Sequence, residues 1–233
     1  MTSLTKRLAM VAEMIRTGQP AADIGADHAQ LAIHLVRNKI APCCIIGELS
    51  DGPYTRACAA VQASTMSDRI KVRQGNGLQV LARGEVGWIV LAGMGGDTII
   101  DILAHDWDKA ASFQGYVFQP MSKAEVLRQR LASRGWIIED ERLVQENGHI
   151  YLAISSRPGN CPYYLTGLEL ELGSIILKAD TEIKRKYLAR YSQKCRRIYR
   201  DLLLSPLQFN RVLADEYQEK IIILEEVLHA SQS

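Results

Sequence analysis

The sequence predicts an α/β domain, built on a doubly wound and mostly parallel sheet, followed by an α-helical hairpin. Three observations carry this reading. Up to about Pro158, short apolar runs alternate with segments of helical pattern, and strands alternating with helices form parallel sheets covered on both faces. The last two strand-like runs of this part are joined through Glu146-Asn147-Gly148, and Asn-Gly between such runs is a strong hairpin signal. Beyond Arg157-Pro158-Gly159-Asn160-Cys161-Pro162 the strand signals stop, and apolar residues recur at helical spacing.

In chain order, the segment from Met1 to Ile15 reads as an amphipathic helix and lacks the small-residue cleavage site of a signal peptide. Strands are expected at Ala21–Ile24, Cys43–Gly47, Ile70–Gln74, Trp88–Ala92 and Tyr116–Gln119. Helices are expected between them at His28–Asn38, Pro53–Ser64, Asp97–His105 and Lys123–Arg134. The hairpin strands are Trp136–Val144 and Ile150–Ser155, an antiparallel addition of the kind mixed sheets accommodate. After the break, Leu172, Ile176, Ala179, Ile183, Tyr187, Cys195, Ile198 and Leu202 form one apolar helical stripe. Ser205-Pro206-Leu207-Gln208 then supplies an N-cap, a proline at the first helical position and a capping-box glutamine. The last helix carries Leu213, Tyr217, Ile221, Leu224 and Leu228, and two long helices joined tightly pack antiparallel. The expected division is residues 1–159 and 160–233.

Bulk properties narrow the function classes. A chain of 233 residues with 47% hydrophobic residues has a real core and suits one large domain, or an ordinary one plus a small one. The net charge of +2 says nothing of partners, so any electrostatic signal is local. No run of about 18 apolar residues is present, so no membrane span is expected. The five cysteines are odd in number and include no C-x-x-C pair. That argues against a disulfide framework and a zinc site, and for a reduced, cytoplasmic protein without a metal.

The chemistry concentrates at the ends of the expected strands, where a doubly wound sheet binds ligands. Asp23-Ile24-Gly25-Ala26-Asp27 ends the first strand with two acids and one glycine. A phosphate site wants the reverse, bare N–H groups at a helix N-terminus, and the three-glycine dinucleotide fingerprint is missing. Glu48-Leu49 follows the second strand, where an acid accepts both hydroxyls of a ribose. A ligand with a ribose, an amino group and no phosphate fits S-adenosylmethionine, with Asp23 facing its cationic end. Asn76-Gly77-Leu78 follows the third strand, where a polar side chain meets an adenine ring, although a plain glycine turn reads the same way. Ala92-Gly93-Met94-Gly95-Gly96 follows the fourth with a glycine density that points to close approach of a ligand.

In order and spacing, ADIGADHAQL, GELSDGPY, GNGL, AGMGGDTII and the later FQP and LRQRLASRGWIIEDERLVQENGHIY resemble the TrmK family. These are bacterial tRNA (adenine-N1)-methyltransferases that modify adenine 22 in the D-loop. The resemblance covers roughly Leu4 to Gly159, and the helical C-terminal region is also like the family's. It implies a class I, Rossmann-like methyltransferase domain with a seven-stranded sheet whose last strand is antiparallel. It also implies S-adenosylmethionine as cofactor and a coiled-coil-like appendage that helps grip tRNA. Three positions depart from the family pattern: Gln30 with Ala32 in DHAQLA, Asn76 in GNGL, and Met121 after Pro120. Asn76 retains hydrogen bonding to adenine, while Gln30 and Met121 border the expected substrate side.

Adenine N1 carries a free lone pair, so the reaction needs positioning and stabilisation of a developing positive charge more than a strong base. Asp27 is the expected carboxylate for this role, and His28 the expected neighbour in the pocket. Asp is equally a preferred cap for the helix that follows, so local sequence leaves both roles open for Asp27. The target base must be unpaired or flipped out. The segment from Lys184 to Arg200 has eight basic residues and no acid: Lys184, Arg185, Lys186, Arg190, Lys194, Arg196, Arg197 and Arg200. Such a helix suits phosphate contacts, while Tyr187 and Tyr191 belong to the apolar stripe. Other readings are a class I methyltransferase acting on another RNA or a small molecule, for which the basic helix has no use, and a non-catalytic RNA-binding homologue, which has no need of the pocket acids.

Overall fold

The structure, a computed structural model, describes residues 4–204 and 207–230. The chain divides into two compact units, Met1–Gly173 and Ser174–Ser233. The first carries α1 (Lys6–Glu13), β1 (Ala21–Ile24), α2 (Gln30–Arg37), β2 (Cys44–Glu48), α3 (Asp51–Ala63) and β3 (Ile70–Gln74). After a short 3-10 turn at Gly77–Val80 come β4 (Trp88–Gly95), α4 (Gly96–Ala104), α5 (Trp107–Ala110), β5 (Gly115–Ser122) and α6 (Ala124–Ser133). It ends with β6 (Ile137–Glu146), β7 (His149–Arg157) and α7 (Gly167–Leu172).

The seven strands lie in the order β3-β2-β1-β4-β5-β7-β6. β1 pairs in parallel with β2 on one side and β4 on the other, which sets the switch point at the carboxyl end of β1. β7 is the antiparallel strand, between β5 and β6. Asn147 and Gly148 both have positive φ, 48° and 79°, as a two-residue hairpin turn of matching twist requires. On one face, Met10 and Val11 of α1, Leu35 of α2 and Val61 of α3 bury against Ala21, Ile46 and Val90. The other face packs α4 and α6 around aromatic groups, with Tyr116 stacked on Phe118 at 5.4 Å and Trp136 5.0 Å away. These layers bury β1, β2 and most of β4 and β5 on both sides, as their near-continuous apolar sequences anticipate, while the edge strands β3 and β6 stay partly exposed.

Two local readings differ from the sequence-based expectation. β4 runs through Gly95 with register shifts against β5 after Ala92 and Met94, so the glycine run forms a bulged strand end in place of a loop. A Cβ on Gly96 would lie 2.2 Å from the Lys123 carbonyl oxygen. Close approach of the β5–α6 backbone therefore accounts for that glycine without a ligand. Secondly, the C-terminal apolar stripe is not one helix. It breaks at Gly173, whose φ is 97°, and again before Thr181, which caps the next helix by accepting the Lys184 N–H.

The segment 160–173 is tied to the first unit by Tyr163, whose N–H donates to the Ala132 carbonyl at 3.2 Å and whose hydroxyl donates to the Trp136 carbonyl at 3.1 Å, and by a buried ion pair. Arg128 of α6 and Glu141 of β6 meet at 2.6 Å with both side chains fully buried. Arg128 Nη1 also donates to the Leu170 carbonyl at 2.7 Å, which ties down α7. The expected boundary at 159/160 stands upstream of this tie.

The second unit contains α8 (Ser174–Lys178), α9 (Glu182–Leu203) and α10 (Gln208–Ala230). Arg196 meets Glu225 at 2.6 Å and Tyr199 meets Gln218 at 3.4 Å, so α9 and α10 run antiparallel. The buried seam of α9 is Lys184, Leu188, Ser192 and Cys195. Its phase differs from the expected stripe, and Tyr187 and Tyr191 are half-buried at its flank. The expected cap at Ser205 and Pro206 lies outside the described residues.

Glu141→Ala would leave the Arg128 guanidinium buried and unpaired, which costs about 3–5 kcal/mol. Urea unfolding of the full chain should show that loss, while Arg128→Met combined with Glu141→Leu should recover most of it. A double variant as unstable as Glu141→Ala would show that the site needs the charges themselves.

Candidate active site

The turn from β1 to α2 is built from left-handed residues. Gly25, Asp27 and Ala29 have φ of 78°, 49° and 54°. Ala29 takes the N-cap position of α2 without a side-chain bond, and the helix starts at Gln30. Asp27 therefore does not cap α2, which removes one of the two roles its sequence context left open. Its backbone N–H donates to Glu48 Oε1 at 2.5 Å. Its carboxylate is held by Arg56 of α3, with Nε at 2.7 Å and Nη2 at 2.5 Å from Oδ1. His28 Nε2 lies 3.3 Å from the other oxygen, and the two side chains are 47% and 62% exposed for Asp27 and His28 respectively.

Two cavities open at this edge of the sheet and share Gly25. The first, of about 360 Å³, collects Ile24, Glu48, Leu49, Asn76, Gly77, Leu78 and Met94. These are residues of four separate strand ends, brought together as the strand-end motifs anticipate. Thr98, Asp101, Ile102 and His105 of the α4 region complete its wall. Leu49 is 63% exposed, an uncovered apolar side chain at the rim. The second cavity, of about 310 Å³, is lined by Asp23, Asp27, His28, Ala92 and Gly93 together with Arg7 of α1. Gly95 lines neither cavity and packs toward Ser122.

Burial sets the electrostatics. Asp23 is 4% exposed, and burial, aided by the nearby Glu48 charge, pushes its carboxyl up to about 7. Burial also raises Glu48, opposed by the N–H bond from Asp27. A buried carboxylate in this state favours a cation beside it. Three side chains that line or brace this edge of the sheet do not stand out in the sequence. Arg7 sits in an ordinary amphipathic pattern, Arg56 in the middle of α3, and Gln119 at the end of an apolar strand. Gln119 is fully buried, and its Oε1 accepts from Arg7 Nη1 at 2.8 Å and from the Gly93 N–H at 3.2 Å. Only the FQP segment hinted at it.

The basic helix is less uniform than its sequence. Lys184 is 5% exposed and donates to the Ala179 carbonyl at 2.7 Å. It closes the end of α8, and no phosphate can reach it. Arg185 pairs with Asp180 and Lys186 with Glu182, while Arg196 pairs with Glu225. Arg190, Lys194, Arg197 and Arg200 remain exposed and, with Arg196, line a surface hollow of about 990 Å³ along α9. Among the described residues, no group of three or more His, Cys, Asp or Glu is placed to hold a metal ion. No described helix is long and apolar enough to cross a membrane.

A family model described as "Methyltransferase domain" matches residues 4–154. The chain is 32% identical over 230 residues to the tRNA (adenine(22)-N(1))-methyltransferase of Bacillus subtilis, covering 97% of each protein. It superposes on the crystal structure of the Bacillus subtilis m1A22 tRNA methyltransferase TrmK with a TM-score of 0.86 at 31% identity, covering 97% of this chain and 99% of that one. A Streptococcus pneumoniae structure solved in complex with S-adenosyl-L-methionine gives a TM-score of 0.85 at 29% identity, with 97% and 100% covered.

Asp23 makes stability depend on pH in a direction opposite to an ion-paired aspartate. Its carboxyl ionises at 3.8 as a free group and at about 7 in the fold, so the folded state holds the proton across that interval. Stability is then lost as pH rises from about 4 to about 7 and levels off above, by on the order of 4 kcal/mol. Asp23→Asn should flatten this slope, read as urea midpoints near pH 5 and near pH 8. An equal decline in both proteins would assign the slope to other groups.

Proposed function

This chain belongs to the TrmK family of tRNA (adenine-N1)-methyltransferases, and we infer that it transfers a methyl group from S-adenosylmethionine to N1 of adenine 22 in the tRNA D-loop. The observation that carries this reading is the pair of cavities meeting at Gly25. One is glycine-lined with a carboxylate at its edge, and the other holds a buried acid beside two exposed catalytic candidates. S-adenosylmethionine fits the residues present: Glu48 for the ribose hydroxyls, Asn76, Leu49 and Leu78 for the adenine, and the Asp23 carboxylate for the cationic end. When bound, it supplies an electrophilic methyl group.

The chain's own residues do the rest. Asp27 faces the second cavity from a turn its backbone bond to Glu48 holds in place. Its carboxylate accepts the N6 amino hydrogen of the target base and favours the positive charge that develops on the ring. Arg56 keeps that carboxylate in one position. His28 forms part of the pocket wall beside it. The exposed Arg190, Lys194, Arg197 and Arg200 contact tRNA phosphates, and Lys184 is withdrawn from this role. A reducing, cytoplasmic setting belongs to the same proposal, supported by five cysteines that are all free.

Transfer of labelled methyl to unmodified bacterial tRNA, with nucleoside analysis, should yield 1-methyladenine. Asp27→Ala should lower kcat by roughly 100- to 1000-fold while cofactor affinity by titration stays within about 3-fold. Intact, cofactor-binding protein that makes no 1-methyladenine would remove the tRNA target. A Gln replacement of Arg190, Lys194, Arg197 and Arg200 together should flatten the dependence of tRNA affinity on salt by roughly one unit of slope per lost phosphate contact. An unchanged slope would place the RNA contacts elsewhere.

A further inference from the structure

The proposed reaction leaves one aromatic pair at the ligand-binding edge without a use. β7 runs antiparallel to β5, so its first residues stand at the carboxyl edge of the parallel strands, where such sheets bind ligands. There His149 is exposed and Tyr151 half-buried, with ring centres 6.3 Å apart and planes inclined at 49°. Tyr116 and Tyr163 spend their hydroxyls on the Ala110 and Trp136 carbonyls, at 2.7 Å and 3.1 Å. Among the described residues the Tyr151 hydroxyl has no such partner, so anchoring the backbone does not account for it. The pair is nevertheless held in place. The Arg7 guanidinium carbon lies 5.6 Å from the centre of the Tyr151 ring. The Lys6 N–H donates to Glu146 Oε1 at 2.6 Å, fastening the hairpin tip to the start of α1. Thr5 and Arg7 from this part of the chain line the second cavity, while neither aromatic ring lines either cavity. The rings therefore stand just outside the cavity, on its α1 side. Extruding the target adenine breaks its stacks with both neighbouring bases, and RNA-binding surfaces make good such a loss by stacking bases on tyrosine or histidine rings.

We propose that His149, braced by Tyr151, is a stacking shelf for a nucleotide adjoining the target adenine. It is a positioning residue, holding the strand beside the cavity while the target base enters it. The surroundings suit a base better than a phosphate. The Glu146 carboxylate at the same hairpin tip repels an anion. The thioether of Met121, 53% exposed with its sulfur 3.9 Å from Arg7 Nη1, adds apolar surface at this edge. A shelf fixed before binding costs little ordering entropy when a flat base is laid on it. This rests on the reading of tRNA as substrate.

The test is a double-mutant cycle between protein and RNA. The full chain methylates unmodified tRNA transcripts of three kinds: intact, abasic at the nucleotide 5′ of the target, and abasic at the nucleotide 3′ of it. With wild type, loss of the base at one of these two positions should lower kcat/KM roughly 10-fold. His149→Ala should cause a similar loss on intact tRNA and no more than about 2-fold further loss on that abasic transcript. His149→Phe restores a ring without a charge or a hydrogen bond, and should recover most of the loss. Cofactor affinity by titration should stay within about 3-fold in both variants. Additive losses at both abasic positions would overturn the proposal, as would wild type indifferent to both missing bases. A His149→Phe as impaired as His149→Ala, with a flatter salt dependence, would also overturn it by making the imidazole a phosphate contact. A matching fall in cofactor affinity would do the same by assigning the effect to the cofactor site. Wild type that binds cofactor yet makes no 1-methyladenine on intact tRNA would instead remove the substrate reading on which the shelf rests.

Discussion

The bond from the Asp27 N–H to the Glu48 carboxylate is the constraint around which the site is arranged. Two non-glycine residues of the β1–α2 turn sit in left-handed conformations, each costing on the order of 1–2 kcal/mol. Such a turn persists only when its neighbours over-determine it. Glu48 does this from the adjacent parallel strand, and Arg56 does it from α3. Because the turn takes this form, α2 starts late, and Asp27 is released from capping. A carboxylate that would otherwise be spent on helix N–H groups is instead presented at the cavity. Strain, cap geometry and the presentation of this carboxylate are one fact seen at three levels.

The central strands were legible because each is an apolar run bounded by polar turns, and the Asn147-Gly148 hairpin because its turn chemistry is specific. Boundaries failed where tertiary contacts override local signals. The glycines after Ala92 read as a loop, yet pairing with β5 extends the strand through them. Lys184 read as a surface cation, yet a carbonyl at the end of α8 satisfies its ammonium group in the interior. The strand-end motifs named most of the first cavity, since each lies beside the sheet edge in any fold of this topology. Arg7, Arg56 and Gln119 were not legible. Each sits inside a regular element whose periodicity is unremarkable, and they acquire meaning only through partners 29 and 112 residues away in sequence.

Local charge placement, and not net charge, defines the chemistry. A chain of net charge +2 holds a buried acid whose ionisation lies near neutrality, and an ion-paired acid and a guanidinium line the same cavity. Burial raises the Asp23 carboxyl, while the half-exposed Asp27 carboxylate is held by Arg56. The basic helix in the other unit follows the same rule. Neighbouring acids and one backbone carbonyl engage half of its cations, and the remainder form a narrower strip than composition implied.

Gly173 shows how a junction can be intolerant of change without being part of a site. Where another residue would carry a Cβ, the Glu141 carboxylate already stands, with an oxygen 2.5 Å from that position. Any side chain there would displace Glu141 and so unseat Arg128 and the carbonyls it holds. Sequence drift is therefore restricted at this one junction as tightly as in the core. Lineages that vary freely along the flanking helices should keep glycine here, or else change residues 128 and 141 together.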